Sequence, residues 1–199
     1  NGTSRTEGLQ ETPAQRIHVV RRRNYTNTGK GLESRLTQVA TQYQTQGKAL
    51  IKKCDPPSRS YIHNGQVQHQ LLKNPYPDFL GVWTTQGGRG IFIEAKSTKV
   101  PRLSLGQKSG GVSRDQLGHL NAWHEAGGCV GVVWEHELQW KFVSVKAMLK
   151  ILGEKRGKQT RKSIRWDEAI PIPTGGMVII DFLWNLGQEY LSQVATKQT

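Results

Sequence analysis

Asp78, Glu94 and Lys96 form the group of side chains in this 199-residue sequence whose types and spacing could do chemistry. Two carboxylates that reach one surface hold a hard divalent cation, and a lysine two residues along a strand shares the face of the second acid. The combination meets the needs of phosphodiester hydrolysis: a nucleophilic water, neutralisation of charge growing on the phosphoryl oxygens, and help for the departing alkoxide. Asp78 and Glu94 are read as ligands of Mg²⁺, with Mn²⁺ able to substitute; the cation polarises the phosphate and lowers the pKa of its bound water. Lys96 positions that water or stabilises the pentacovalent transition state. Glu33, beside an apolar helix stripe, is a candidate third ligand or general base. A bare Glu-x-Lys more often marks a surface ion pair, so the reading turns on whether the chain brings the acids together.

A hairpin would do so. Strands are expected over 79–83 and 89–95, joined by Thr84, Thr85, Gln86, Gly87 and Gly88. A turn centred on Gln86 sets Trp83 opposite Arg89, Gly81 opposite Ile91 and Asp78 opposite Glu94. Directly opposed residues share a face, with Cβ atoms about 4.5–5.5 Å apart. Alternation puts Ile91, Ile93 and Ala95 on one face and Phe92, Glu94 and Lys96 on the other. Opposed like charges destabilise a sheet unless a cation neutralises them.

The remaining elements form a frame for that hairpin. A helix is expected from Asn27 or Thr28 to Gln46, stopped by Gly47, with Leu32, Leu36, Val39, Ala40 and Tyr43 as its buried stripe. A short strand, 49–52, precedes a polar excursion around Asn64-Gly65 that reads as a projecting hairpin too poor in apolar residues to be core. Ser113 caps a helix over 114–125 that turns Leu117 and Leu120 inward. Strands over 129–134 and 138–142, a helix from Ser144 to Leu152, a basic loop carrying Lys155, Arg156, Lys158, Arg161, Lys162 and Arg165, and an amphipathic helix over 180–191 complete the chain. These pieces assemble most simply as an α/β domain, a mixed sheet flanked by helices. Residues 1–28 read as a flexible basic arm and 29–199 as one domain.

The charge balance points to polyanions. Lys and Arg outnumber Asp and Glu 28 to 15, a formal charge of +13. Nucleic acid is the leading partner class, with Arg21, Arg22, Arg23, Lys30, Lys52, Lys53, Lys73, Lys99, Arg102 and Lys108 as candidate phosphate contacts. No apolar run approaches the ~18 residues of a membrane span, and no small-molecule cofactor motif is present. Cys54 and Cys129 are too few for a disulfide framework or a thiolate zinc site, which fits an intracellular, cytoplasmic protein. The start at Asn1, without Met or a signal-type segment, reads as a processed or trimmed chain.

At these residues the sequence resembles the PD-(D/E)XK nuclease superfamily and, within it, the RecU family of Holliday junction resolvases. Gly29, Leu32 and Glu33 are similar to the start of that family's first helix, and Lys52, Lys53, Cys54, Asp55 and Pro56 to the end of its next strand. Asp78-Phe79-Leu80-Gly81-Val82-Trp83 and Ile93-Glu94-Ala95-Lys96-Ser97-Thr98-Lys99 resemble its catalytic hairpin, and Gln116 corresponds to the glutamine after the catalytic lysine. The resemblance implies a restriction-endonuclease-like core, Mg²⁺-dependent endonuclease activity on four-way DNA junctions, and a homodimer. It also implies catalytic roles for Glu33, Asp78, Glu94, Lys96 and Gln116, and a stalk over about 57–77. A homodimer would set two sites about a twofold axis to nick symmetric strands. The long turn at 84–88, Tyr76-Pro77 before Asp78, and Asp115-Gln116 depart from the family pattern, as in a phage-encoded relative.

Two other classes stay open on the residues: a restriction-type or repair nuclease of the same superfamily, and a non-catalytic DNA-binding module. Intact Asp78, Glu94 and Lys96 argue against the last. His119 and His124, five apart on a helix, face different ways and are read as packing or surface residues. Gly87, Gly88 and Gly90 read as a turn, because no helix follows them to make a phosphate loop. Trp123, Trp134, Trp140 and Trp184 are expected in the core, with base stacking as the minor alternative.

Overall fold

The computed structural model describes residues 28–72, 76–106, 111–153, 155–156, 159–174 and 181–188. Helix α1, Thr28–Thr45, buries the expected stripe of Leu32, Leu36, Val39, Ala40 and Tyr43. Gly47, at φ +67°, turns the chain out of the helix into strand β1, Leu50–Lys53. Strands β2, Ser58–His63, and β3, Gln66–Leu71, form a separate two-stranded ribbon around Asn64 and Gly65, both at positive φ. Its described side chains are exposed, as a segment with so few apolar residues requires.

The catalytic candidates lie on the hairpin of β4, Phe79–Trp83, and β5, Arg89–Thr98. Its register runs from Trp83↔Arg89 to Phe79↔Ile93, which places Asp78 and Glu94 at the next opposed position. The turn is one 3-10 turn, Thr84–Gln86, followed by Gly87 and Gly88 in the left-handed region. β5 continues to Thr98, past the expected Ala95, because it pairs in parallel along eight residues with β8, Cys129–His136. Every residue of β8 is buried, as a strand covered on both faces demands.

Short strands β6, Arg102–Leu105, and β7, Gly111–Val112, lead into α2, Arg114–Glu125; β9, Gln139–Ser144, and α3, Val145–Gly153, follow β8. The expected basic loop is more structured than its composition announces. It contains the ladder of β10, Lys155–Arg156, and β11, Gln159–Thr160, then β12, Ser163–Arg165, which joins β6 and β7 in a three-stranded sheet. Leu103, Leu105, Val112 and Ile164 bury the inner side of that sheet, and this apolar anchor outweighs the surrounding charge. A last strand, β13, Ile170–Pro171, and a helical stretch over 182–188 close the described chain.

The main sheet has the order β1-β4-β5-β8-β9-β13, mixed, with helices on both faces: the α/β arrangement of a mixed sheet flanked by helices expected from the sequence. One core, with α1 and residues 182–188, covers Ile91 and Ile93; the other, with α2 and α3, covers Phe92, Val132 and Trp134. A part-buried ion pair, Arg35 to Glu135 at 2.5 Å, ties α1 to β8. The tryptophans divide. Trp134 is fully buried and Trp140 partly so, but Trp184 is 58% exposed and Trp123 37% exposed, correcting the expectation that all four are core. Trp184 follows directly on Phe182 and Leu183, which with Leu186 fill the inward side of their helix and leave it outside.

β1 approaches β4 so closely that Gly81 has no room for a side chain. A Cβ there would run into the Leu50 carbonyl and come within 2.7 Å of Ile51 Cα. Gly81→Ala should therefore lower stability by at least about 2 kcal/mol, read by denaturant unfolding, through displacement of the strand beside Asp78.

Candidate active site

Asp78 stands immediately before β4, where the antiparallel ladder has run out. Its Oδ2 accepts a hydrogen bond from the backbone N–H of Ala95 at 2.8 Å, so the side chain takes the place of the next rung. Its own carbonyl accepts from Cys54 N at 2.8 Å, which fastens the same residue to the end of β1. Asp78 is thus held from both neighbouring strands.

Glu94 lies across from it, 2% exposed. Its Oε1 accepts from Lys96 Nζ at 2.7 Å and from Gln116 Nε2. The carboxyl's pKa is pushed up to about 7, chiefly by burial, then by the negative charge of Asp78; Lys96 offsets part of the rise. Hydrogen bonding to Asp78 acts in the same upward direction.

Gln116 reaches this pair because of how α2 begins. Ser113 Oγ accepts from Gln116 N at 3.2 Å, and Gln116 Oε1 accepts from Ser113 N at 3.0 Å. This reciprocal cap fixes the amide: with its oxygen committed to Ser113, its nitrogen must face Glu94. A glutamine three residues after a capping serine is visible in sequence; its contact with Glu94 depends on how α2 packs on β5.

Glu33 is placed elsewhere. Its carboxylate pairs with Lys53 Nζ at 3.1 Å, and Lys53 also bridges to Asp55 at 2.9 Å. Lys53 is opposite Phe79, whose side chain belongs to the α1 core, so this ion-pair network lies on the α1 side of the sheet. Asp78 and Glu94 share the opposite face. Among the described residues no three His, Cys, Asp or Glu side chains gather in a metal-binding group, so Glu33 is not brought to the other two acids. Of the candidate phosphate contacts, Lys30, Lys52, Lys53, Lys99 and Arg102 are exposed; Arg21, Arg22, Arg23, Lys73 and Lys108 lie outside the described residues.

A divalent cation suits this donor set. Glu94 is buried and Asp78 half-buried beside it, two carboxyls placed close together favour a positive charge between them, and Mg²⁺ is commonly held by only one or two carboxylates, with water completing its shell. Asp78 and Glu94 are the residues that would hold it.

No curated protein matches the chain. Among solved structures it is similar to Archaeoglobus fulgidus Hjc, described as a Holliday junction resolvase from an archaeal hyperthermophile, at 16% identity and a TM-score of 0.43, covering 72% of this chain and 95% of that one. The sequence matches the family described as RecU, recombination protein U, over residues 27–186, a span that takes in both strands of the carboxylate hairpin and the helix that supplies Gln116. A match over that much of the chain is decisive: the protein belongs to the RecU family of Holliday junction resolvases, among the PD-(D/E)XK nucleases.

Proposed function

We propose that the chain is a divalent-metal-dependent endodeoxyribonuclease that resolves four-way DNA junctions by paired, symmetric phosphodiester hydrolysis as a homodimer. The observation that carries this reading is the convergence of Asp78, Glu94, Lys96 and Gln116 on one sheet face of a strongly basic protein. Mg²⁺, or Mn²⁺ in its place, would supply charge neutralisation at the phosphate and acidify an attacking water.

The chain's own residues do the positioning. Asp78, locked by Ala95 N, presents its carboxylate in one orientation. Gln116 holds Glu94 from the α2 side, so the buried acid does not swing when it ionises. Lys96, released from Glu94 Oε1 when that oxygen is otherwise engaged, has its ammonium beside the reacting phosphate, where it steadies the water and the developing negative charge. Water adds to phosphorus and gives up a proton to solvent, the bridging P–O bond breaks, and the leaving oxygen takes a proton from solvent. Glu33 acts from the other side of the sheet end, as a partner of Lys53 that exchanges it for a DNA phosphate. The ribbon of β2 and β3, within the stalk over about 57–77, projects toward the junction centre. The expected setting is the cytoplasm of a bacterial or phage-infected cell.

Incubation with a synthetic four-way junction, a linear duplex of the same sequence and a plasmid, each with Mg²⁺, Mn²⁺ or chelator, tests this function. Paired symmetric nicks confined to the junction and abolished by chelator are expected. Site-specific breaks in the duplex would instead favour a restriction-type enzyme, and retarded but uncut DNA a binding module. Gln116→Leu should lower junction cutting roughly 10- to 100-fold with little change in junction affinity, because it removes the donor that fixes Glu94. Equal cutting by this variant in a gel-based time course would detach Gln116 from the mechanism.

A further inference from the structure

A second feature of the same sheet face lies at the far end of α2. Trp123 and Phe92 stack face to face, with centroids 4.0 Å apart and planes inclined by 15°. Backbone lies close to the Phe92 ring at two glycines. A Cβ at Gly90 would approach its ring to 2.8 Å, and one at Gly128 to 3.0 Å, so both glycines let the backbone lie directly against it. Phe92 therefore backs one face of Trp123, while Trp123 itself is 37% exposed. The pair opens into a cleft of about 460 Å³, also lined by Gly87, Arg89 and Gly127. Arg89 Nη1 donates to the Gly127 carbonyl at 3.1 Å, which fixes its guanidinium at the end of the sheet.

Position connects the cleft to the carboxylates. Phe92 and Glu94 are successive residues on one face of β5, and Gln116 and Trp123 are two turns apart on α2, about 10 Å along the helix axis. A few nucleotides of one strand span that distance. An indole stacked on a phenyl ring and still more than a third exposed can accept a third flat ring, and every base has one.

We propose that this cleft takes one unpaired nucleobase, stacked on the outward face of Trp123, with the adjoining phosphate drawn to Arg89. The inference rests on the nuclease reading for its ligand class and extends it. A strand leaving the carboxylates is gripped a few nucleotides away by stacking, which is indifferent to sequence and open only to bases that are not paired. The cleft would thereby recognise the melted or branched character of a substrate.

Binding of a fluorescently labelled single-stranded oligonucleotide in chelator, where nothing is cut, tests this. Trp123→Leu keeps an apolar side chain but not the flat ring and should weaken binding roughly tenfold, whereas Trp123→Phe should stay near wild type. An oligonucleotide with abasic sites should bind wild type and Trp123→Leu alike. Quenching of tryptophan emission by the intact oligonucleotide should be smaller in Trp123→Phe than in wild type, a readout that does not depend on the leucine variant folding. Equal affinity of wild type and Trp123→Leu for the intact strand, or quenching unchanged in Trp123→Phe, would overturn the proposal. Junction cutting by wild type in Mg²⁺ is scored separately: its absence would remove the resolvase reading while leaving a demonstrated base-stacking site intact.

Discussion

Asp78→Asn is expected to reduce junction cutting by about three orders of magnitude while leaving junction binding and the fold intact. The separation follows from what each oxygen of Asp78 does. Oδ2 accepts from Ala95 N, and an asparagine carbonyl oxygen accepts that bond equally well, so the rung that closes the hairpin survives. The negative charge does not survive, and with it goes half of the anionic pair that attracts a cation. Loss of charge beside Glu94 also removes one of the causes that raise its pKa. Cutting rate and junction affinity measured on the same preparation check this; a variant that still cuts within tenfold of wild type would remove Asp78 from the mechanism.

Glu94→Gln should have two large effects of opposite sign. Activity should fall as far as in the Asp78 variant, but without divalent cation the folded protein should become more stable at pH 8. Glu94 has its pKa raised from 4.5 to about 7 by burial and by Asp78. A raised carboxyl favours the folded state while it is protonated: the contribution is complete below pH 4.5 and is lost as pH rises through 7. At pH 8 the native state carries an ionised buried acid, which costs up to about 3 kcal/mol relative to its neutral form. Glutamine is neutral at every pH and keeps an oxygen for Lys96 and Gln116. Thermal unfolding in chelator should thus show wild-type Tm falling between pH 5 and 8 and a flatter profile for Glu94→Gln, the two separating by roughly 6–12 °C at pH 8. Parallel profiles would mean that Glu94 is already neutralised by its neighbours.

The hairpin geometry was legible because three local signals agree. Gly87 and Gly88 permit the left-handed turn, the apolar run Ile91-Phe92-Ile93 marks a strand covered on both faces, and side-chain period two then fixes which face Glu94 and Lys96 occupy. The α1 stripe and the Ser113 cap were readable for similar reasons, each depending on spacing within one element. What sequence did not convey depends on contacts between elements. β6, β7 and β12 are two to four residues long, too short for alternation to stand out, and they exist because Leu103, Leu105, Val112 and Ile164 find one another beneath α3. Glu33 shows the same limit within the site. Its place beside the apolar stripe of α1 could be read, but which face of the sheet that helix covers could not, and Lys53 takes its charge. Trp123 and Trp184 are apolar by type yet exposed: Trp123 stacks on Phe92 with part of its surface left in solvent, and Trp184 lies outside the inward side of its helix.

All of this depends on Asp78 and Glu94 sharing one ion on the α2 face of the sheet. Crystals of the protein soaked in Mn²⁺ at pH 8, with anomalous scattering recorded at the manganese edge, test that claim most directly. The expected result is an anomalous peak within coordination distance of carboxylate oxygens from both residues. A peak held by other side chains, or none at these two at saturating Mn²⁺, would contradict it.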